Sequence, residues 1–104
     1  MIWSPFDSVE GARQAAEILV QEKLVACANI LPELLSIFRY EGKVQSAGEV
    51  GVLFKTEASL LDSATSRLAE VHPYETPAIC GWLVDSAPPE TREWLAELTA
   101  EEGK

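Results

Sequence analysis

The chain of 104 residues has one histidine, two cysteines and one methionine, and only eight lysines and arginines stand against seventeen aspartates and glutamates. Each scarcity removes a class of function. The cations are scattered and the net charge is −9, so a basic groove for nucleic acid is excluded. Cys27 and Cys80 lack CxxC spacing, and with His72 they complete the stock of thiol and imidazole ligands, one short of a closed zinc site. No apolar run reaches the ~20 residues of a membrane helix, and the N-terminal stretch lacks a basic region followed by a long apolar core. The expected setting is therefore cytoplasmic, with no membrane partner and both thiols reduced. Missing too are a phosphate loop and a nucleophile–base–orienter set, which argues against an enzyme.

What is present is a globular composition, 47% hydrophobic and 24% charged, on a length that suits a single domain over residues 1–104. Residues 1–6 read as a short strand ending at Pro5. Asp7 with Glu10 three residues on predicts a helix cap and capping box, and Val9, Ala12, Ala16 and Leu19 carry a helical stripe to about Leu24. Val25 to Tyr40 reads as a strand interrupted at Pro32, which cannot donate to a ladder. Glu41-Gly42-Lys43 supplies a turn, and Val44 to Thr56 returns as a second long strand. Ser59 is the expected cap of a second helix bearing Leu61, Ala64, Leu68 and Val71. Pro77 to Val84 reads as a fourth strand and Glu90 to about Glu102 as a last helix, with Trp94, Leu95 and Leu98 on its apolar side. Glu90, Glu93, Glu97, Glu101 and Glu102 make the rest of that helix a solvated acidic face beside Arg92 and Lys104.

The order β-α-β-β-α-β plus a C-terminal helix predicts an α+β ferredoxin-like sandwich with an antiparallel sheet. The long hairpin is out of scale with such a domain. Sixteen residues at ~3.3 Å each span about 50 Å, against a radius of gyration near 13 Å for a chain of this size. Its far half, with Ile37, Phe38 and Tyr40, is expected to stand bare and to pair with other copies of the chain, giving a homo-oligomer.

The densest chemistry lies at His72-Pro73-Tyr74-Glu75-Thr76-Pro77, where two prolines stiffen a loop that aims an imidazole, a phenol and a carboxylate. Cys27 and Asn29 share one strand face, as do Glu49 and Lys55 on the next. Cys27, Lys55, His72, Tyr74 and Glu75 are expected to converge on one cleft, formed within the chain or completed by a neighbouring copy. Cys27, His72 and Glu75 would then offer an open metal site, soft enough for copper and acceptable to zinc, with no obligatory cofactor. A small anion or metabolite is the rival occupant, held by the charge of Lys55 and by hydrogen bonds from His72 and Tyr74, with Asn29 nearby, as in an oligomeric sensor. A third reading makes the motif a scaffold in which His72 pairs with Glu75.

The blocks Leu24-Val25-Ala26-Cys27-Ala28-Asn29-Ile30-Leu31-Pro32, Glu41-Gly42-Lys43-Val44, Glu49, Lys55-Thr56 and His72-Pro73-Tyr74-Glu75 with Pro77 and Ile79 resemble the CutA divalent-cation tolerance family, in order and over nearly the whole chain. The resemblance implies a homotrimer of ferredoxin-like subunits whose hairpins pair across subunit boundaries, similar in architecture to PII signalling proteins, and a role in tolerance of divalent metals, copper especially. Departures include Phe38 and Tyr40 where the family favours Tyr and Trp, Ala78 in place of a common Glu, and Thr91 where an aromatic is usual.

Overall fold

A computed structural model of the chain describes residues 1–101. Strand β1 (Ile2–Phe6) leads to helix α1 (Val9–Gln21), the long strands β2 (Cys27–Tyr40) and β3 (Lys43–Lys55), helix α2 (Leu61–Val71), strand β4 (Cys80–Gly81) and helix α3 (Pro89–Thr99). The four strands form one antiparallel sheet in the order β2-β3-β1-β4, the α+β ferredoxin-like order that the element sequence predicts.

Strand alternation sends Ile2, Phe6, Val50, Val52 and Phe54 to one face, where Ala12, Ala15, Ala16 and Leu19 of α1 and Ala64 and Leu68 of α2 bury them. The small alanines let α1 approach the sheet closely. The opposite face carries Trp3, Leu53 and Lys55. On that face the Trp3 indole lies over Gly51, where a Cβ would sit 2.3 Å from Trp3 Cη2 and 2.6 Å from Leu34 Cδ1.

Several boundaries differ from the sequence expectation. Ser8, not Asp7, caps α1, its hydroxyl accepting the Gly11 N–H at 3.0 Å. Ser59 caps nothing: a 3-10 turn at Ala58–Leu60 precedes α2, and the Leu60 cap makes no side-chain bond. The fourth strand shrinks from eight expected residues to two, Cys80–Gly81, paired with Trp3 and Ile2. Upstream of it Ser4 Oγ donates to the Ala78 carbonyl at 2.7 Å, so a side chain replaces the ladder there. Helix α3 ends at Thr99, and Glu102 and Lys104 of the expected acidic face lie outside the described residues.

The hairpin is as long as the sequence demands. Its two-residue turn places Glu41 at φ 50° and Gly42 at φ 77°, a left-handed pair that follows the twist of the strands. Pairing runs from Tyr40↔Lys43 down to Cys27↔Lys55, with a register shift between Leu31 and Leu34 around Pro32. The ribbon stretches the chain to 49 × 27 × 22 Å, with a radius of gyration of 14.7 Å. Leu35 (75% exposed), Ile37 (71%), Tyr40 (58%) and Val44 (69%) stand in solvent in the single chain.

Candidate functional site

Helix α2 ends at Val71, and the extended backbone of its cap residue His72 (φ −68°, ψ 136°) turns the chain into the proline-bracketed loop. The imidazole drops between strand β1 and that loop and is only 7% exposed. Its ring stacks on Phe6 with centroids 4.0 Å apart and planes 14° from parallel, and it meets Tyr74 at 4.9 Å. The bonding pattern fixes the tautomer. Nε2 lies 3.0 Å from the Pro5 carbonyl, which can only accept, so Nε2 carries the proton. Nδ1 lies 3.1 Å from the Tyr74 backbone N–H, which can only donate, so Nδ1 is bare. Ser4 Oγ, 3.1 Å from Nε2, spends its own proton on Ala78 and shares the imidazole N–H.

Both ring nitrogens are therefore engaged by the chain itself. Protonation would set Nδ1–H against Tyr74 N–H, and burial already holds the imidazole below its ordinary 6.5, against the opposing pull of the Pro5 carbonyl, Asp7 and Glu49. The unfolded chain then binds this proton more readily than the folded one. Stability is complete above about pH 6.5 and falls as the pH drops below it. Melting temperature measured from about pH 8 to about pH 5.5 should decrease, and His72→Gln, whose amide can donate to Pro5, should flatten that decrease. Parallel curves for the two proteins would contradict this assignment.

The phenol continues the network. Tyr74 Oη donates to Glu49 Oε2 at 2.6 Å, and desolvation, reinforced by that carboxylate, pushes the phenol far above its ordinary value. Pro73 closes over the start of α1, its Cγ near Gly11. The motif thus fastens three elements at one end of the sheet: β1 through Pro5 and Ser4, β3 through Glu49, and α1 through Pro73.

The expected convergence on one cleft does not occur within a single chain. Cys27 is half-buried and faces Lys55 across the β2–β3 ladder, and exposed Asn29 faces Leu53. Lys55 lies six residues along β3 from Glu49, about 20 Å at the rise of a strand. Cys27 and Lys55 therefore occupy one end of the sheet, and His72 and Tyr74 the other. Glu75 is exposed and makes no bond to His72 among the described residues, so the expected pairing of these two is replaced by the Tyr74–Glu49 bond. No three His, Cys, Asp or Glu side chains gather into a metal-holding group among the described residues. The trio of Cys27, His72 and Glu75 is thus not assembled in one chain. The Ser4–His72 contact has the spacing of a nucleophile and its base, yet Ser4 is fully buried with its proton committed to Ala78, so it is not built for attack.

Sequence reading missed Ser4 and the pairing role of Glu49. Ser4 had a signal: it stands between Ile2 and Phe6 on the core face of β1, where a hydroxyl needs a partner.

Residues 1–98 match the family described as CutA1 divalent ion tolerance protein. A divalent-cation tolerance protein CutA of Pyrococcus horikoshii is 35% identical over 99 residues, covering 95% of this chain and 96% of that one. A chloroplastic CutA protein of Arabidopsis thaliana is 37% identical over 90 residues, covering 86% of this chain and 50% of that longer one. Among solved structures, the divalent ion tolerance protein CutA1 of Ehrlichia chaffeensis superposes with a TM-score of 0.92 at 30% identity, covering 96% of this chain and 94% of that one.

Proposed function

Because the chain belongs to the CutA1 divalent ion tolerance family, we propose that it works as a homotrimer that binds copper or another divalent ion with side chains drawn from more than one subunit, and that it is not an enzyme. The observation that carries this reading is the bare half of the hairpin. Leu35, Ile37, Tyr40 and Val44 leave an apolar ribbon in water, and both outer strands, β2 and β4, present unpaired edges. A head-to-tail contact between unlike edges closes into a ring of three when each copy is rotated by a third of a turn from the last. Ile37, Phe38 and Tyr40 then lie in the boundary between copies.

Ligands from neighbouring chains are needed because one chain does not gather three donors among its described residues. Cys27 supplies the soft thiolate and exposed Glu75 a carboxylate. His72 is left out, since both its nitrogens are already bonded. The two cysteines are free thiols, in keeping with a reducing cytoplasm.

Sedimentation and copper titration test the reading together. The wild type should sediment as three chains at about 10 μM, and Ile37→Lys with Tyr40→Lys should release monomers. In the assembled protein, Cys27→Ser should weaken copper binding at least about tenfold. A stable wild-type monomer would end the assembly reading, and unchanged copper affinity in Cys27→Ser would end the metal reading. The fully bonded His72 favours one alternative, a PII-like scaffold or small-ligand sensor in which the loop acts as architecture. That alternative predicts copper indifference and retention of the trimer.

A further inference from the structure

At the Lys55 end of the sheet a cleft of about 710 Å³ opens between α3, the start of α2 and residues 82–88. Its volume falls within the range of small-molecule sites. In the single chain Trp82 and Trp94, 43% and 41% exposed, give it two indole surfaces, and Leu95 adds to the apolar wall. Trp82 stands next to the β4 edge that the proposed trimer pairs, so the cleft opens beside a boundary between copies. The charged groups on its lining reverse the sign of the whole chain. Lys55 and Arg92 both line it and neither is ion-paired among the described residues. Glu57 is the carboxylate on the lining, and its Oε2 lies 3.3 Å from the Thr99 hydroxyl, whose closer acceptor is the Leu95 carbonyl at 2.7 Å. In a protein of net charge −9, two free cations beside two partly exposed indoles select an anion with a flat apolar body.

We propose that this cleft binds a small aromatic carboxylate, its ring against Trp82 and Trp94 and its carboxylate at Lys55 and Arg92. Two side-chain cations without a glycine-rich loop suit one carboxylate better than a polyphosphate. A cationic ligand would meet the wrong sign of charge. The site shares no residue with the His72 network and does not depend on the metal reading.

The probe is 2-naphthoate, titrated calorimetrically into the full chain with 2-naphthylmethanol as the uncharged comparison. Naphthoate should bind one per chain with a Kd of about 1 mM or tighter, and the alcohol at least about tenfold more weakly. Lys55→Gln combined with Arg92→Gln should weaken naphthoate at least about tenfold, while Tyr74→Phe leaves it unchanged. In nitrogen-labelled protein the indole N–H signals of Trp82 and Trp94 should shift and that of Trp3 should hold. Absence of saturable binding overturns the proposal. So does equal affinity for the alcohol, or full affinity in the double variant, because either would mean adsorption to apolar surface without charge recognition.

Discussion

Replacing His72 by alanine should lower the unfolding free energy by about 3–5 kcal/mol, as read from urea denaturation. Two costs combine. The stacked contact with Phe6 at 4.0 Å disappears and leaves a cavity beneath β1. The Pro5 carbonyl and the Tyr74 N–H also lose their partners in a site closed to water. Since a domain of this kind has only about 5–15 kcal/mol in hand, the variant should be close to unfolding at physiological temperature. Amide exchange at Tyr74 should accelerate with it, because that N–H is protected by Nδ1. A loss below about 1 kcal/mol would show that the imidazole is a bystander and that the loop is held by other contacts.

Gly51→Ala should cost about 2–3 kcal/mol, although it adds a single methyl group. The added carbon would stand 2.3 Å from Trp3 Cη2 and 2.6 Å from Leu34 Cδ1, distances at which something must move. The strand backbone is poorly placed to give way, because Gly51 is laddered to Pro5 on one side and Leu31 on the other. The indole must therefore swing off the sheet. A double-mutant cycle tests this: Gly51→Ala should be much less damaging in a Trp3→Leu background, with a coupling of about 1 kcal/mol or more. Strict additivity would place the strain elsewhere.

The element order was legible because helical and strand periods are clean in this chain, and the bulge at Pro32 because a proline cannot donate. The length of the ribbon was legible as arithmetic on residues. The shortness of β4 was not. Its extent depends on how much of β1 is free to pair, and Ser4 takes the Ala78 carbonyl by a side-chain route that no periodicity announces. Of the candidate site, the rigid loop was readable from its prolines, but its partners were not. Tyr74 reaches Glu49, and Cys27 faces Lys55, because of how β3 is registered against β1 and β2, and those two pairs sit six residues apart along β3. Facing direction can be read from alternation; position along the sheet needs the register.

Under the proposed trimer, the hairpin has a consequence for the life of the chain before its copies meet. A newly made subunit carries its uncovered apolar ribbon until partners arrive, and meeting them takes longer as the concentration falls. During that interval, two ribbons that met in the wrong register would nucleate a precipitate. The net charge of −9 acts as long-range repulsion that discourages random collisions and spares the close, in-register contact in which the ribbon is buried. Raising the salt should shorten the reach of that protection, so that refolding in concentrated buffer yields more aggregate than refolding in dilute buffer.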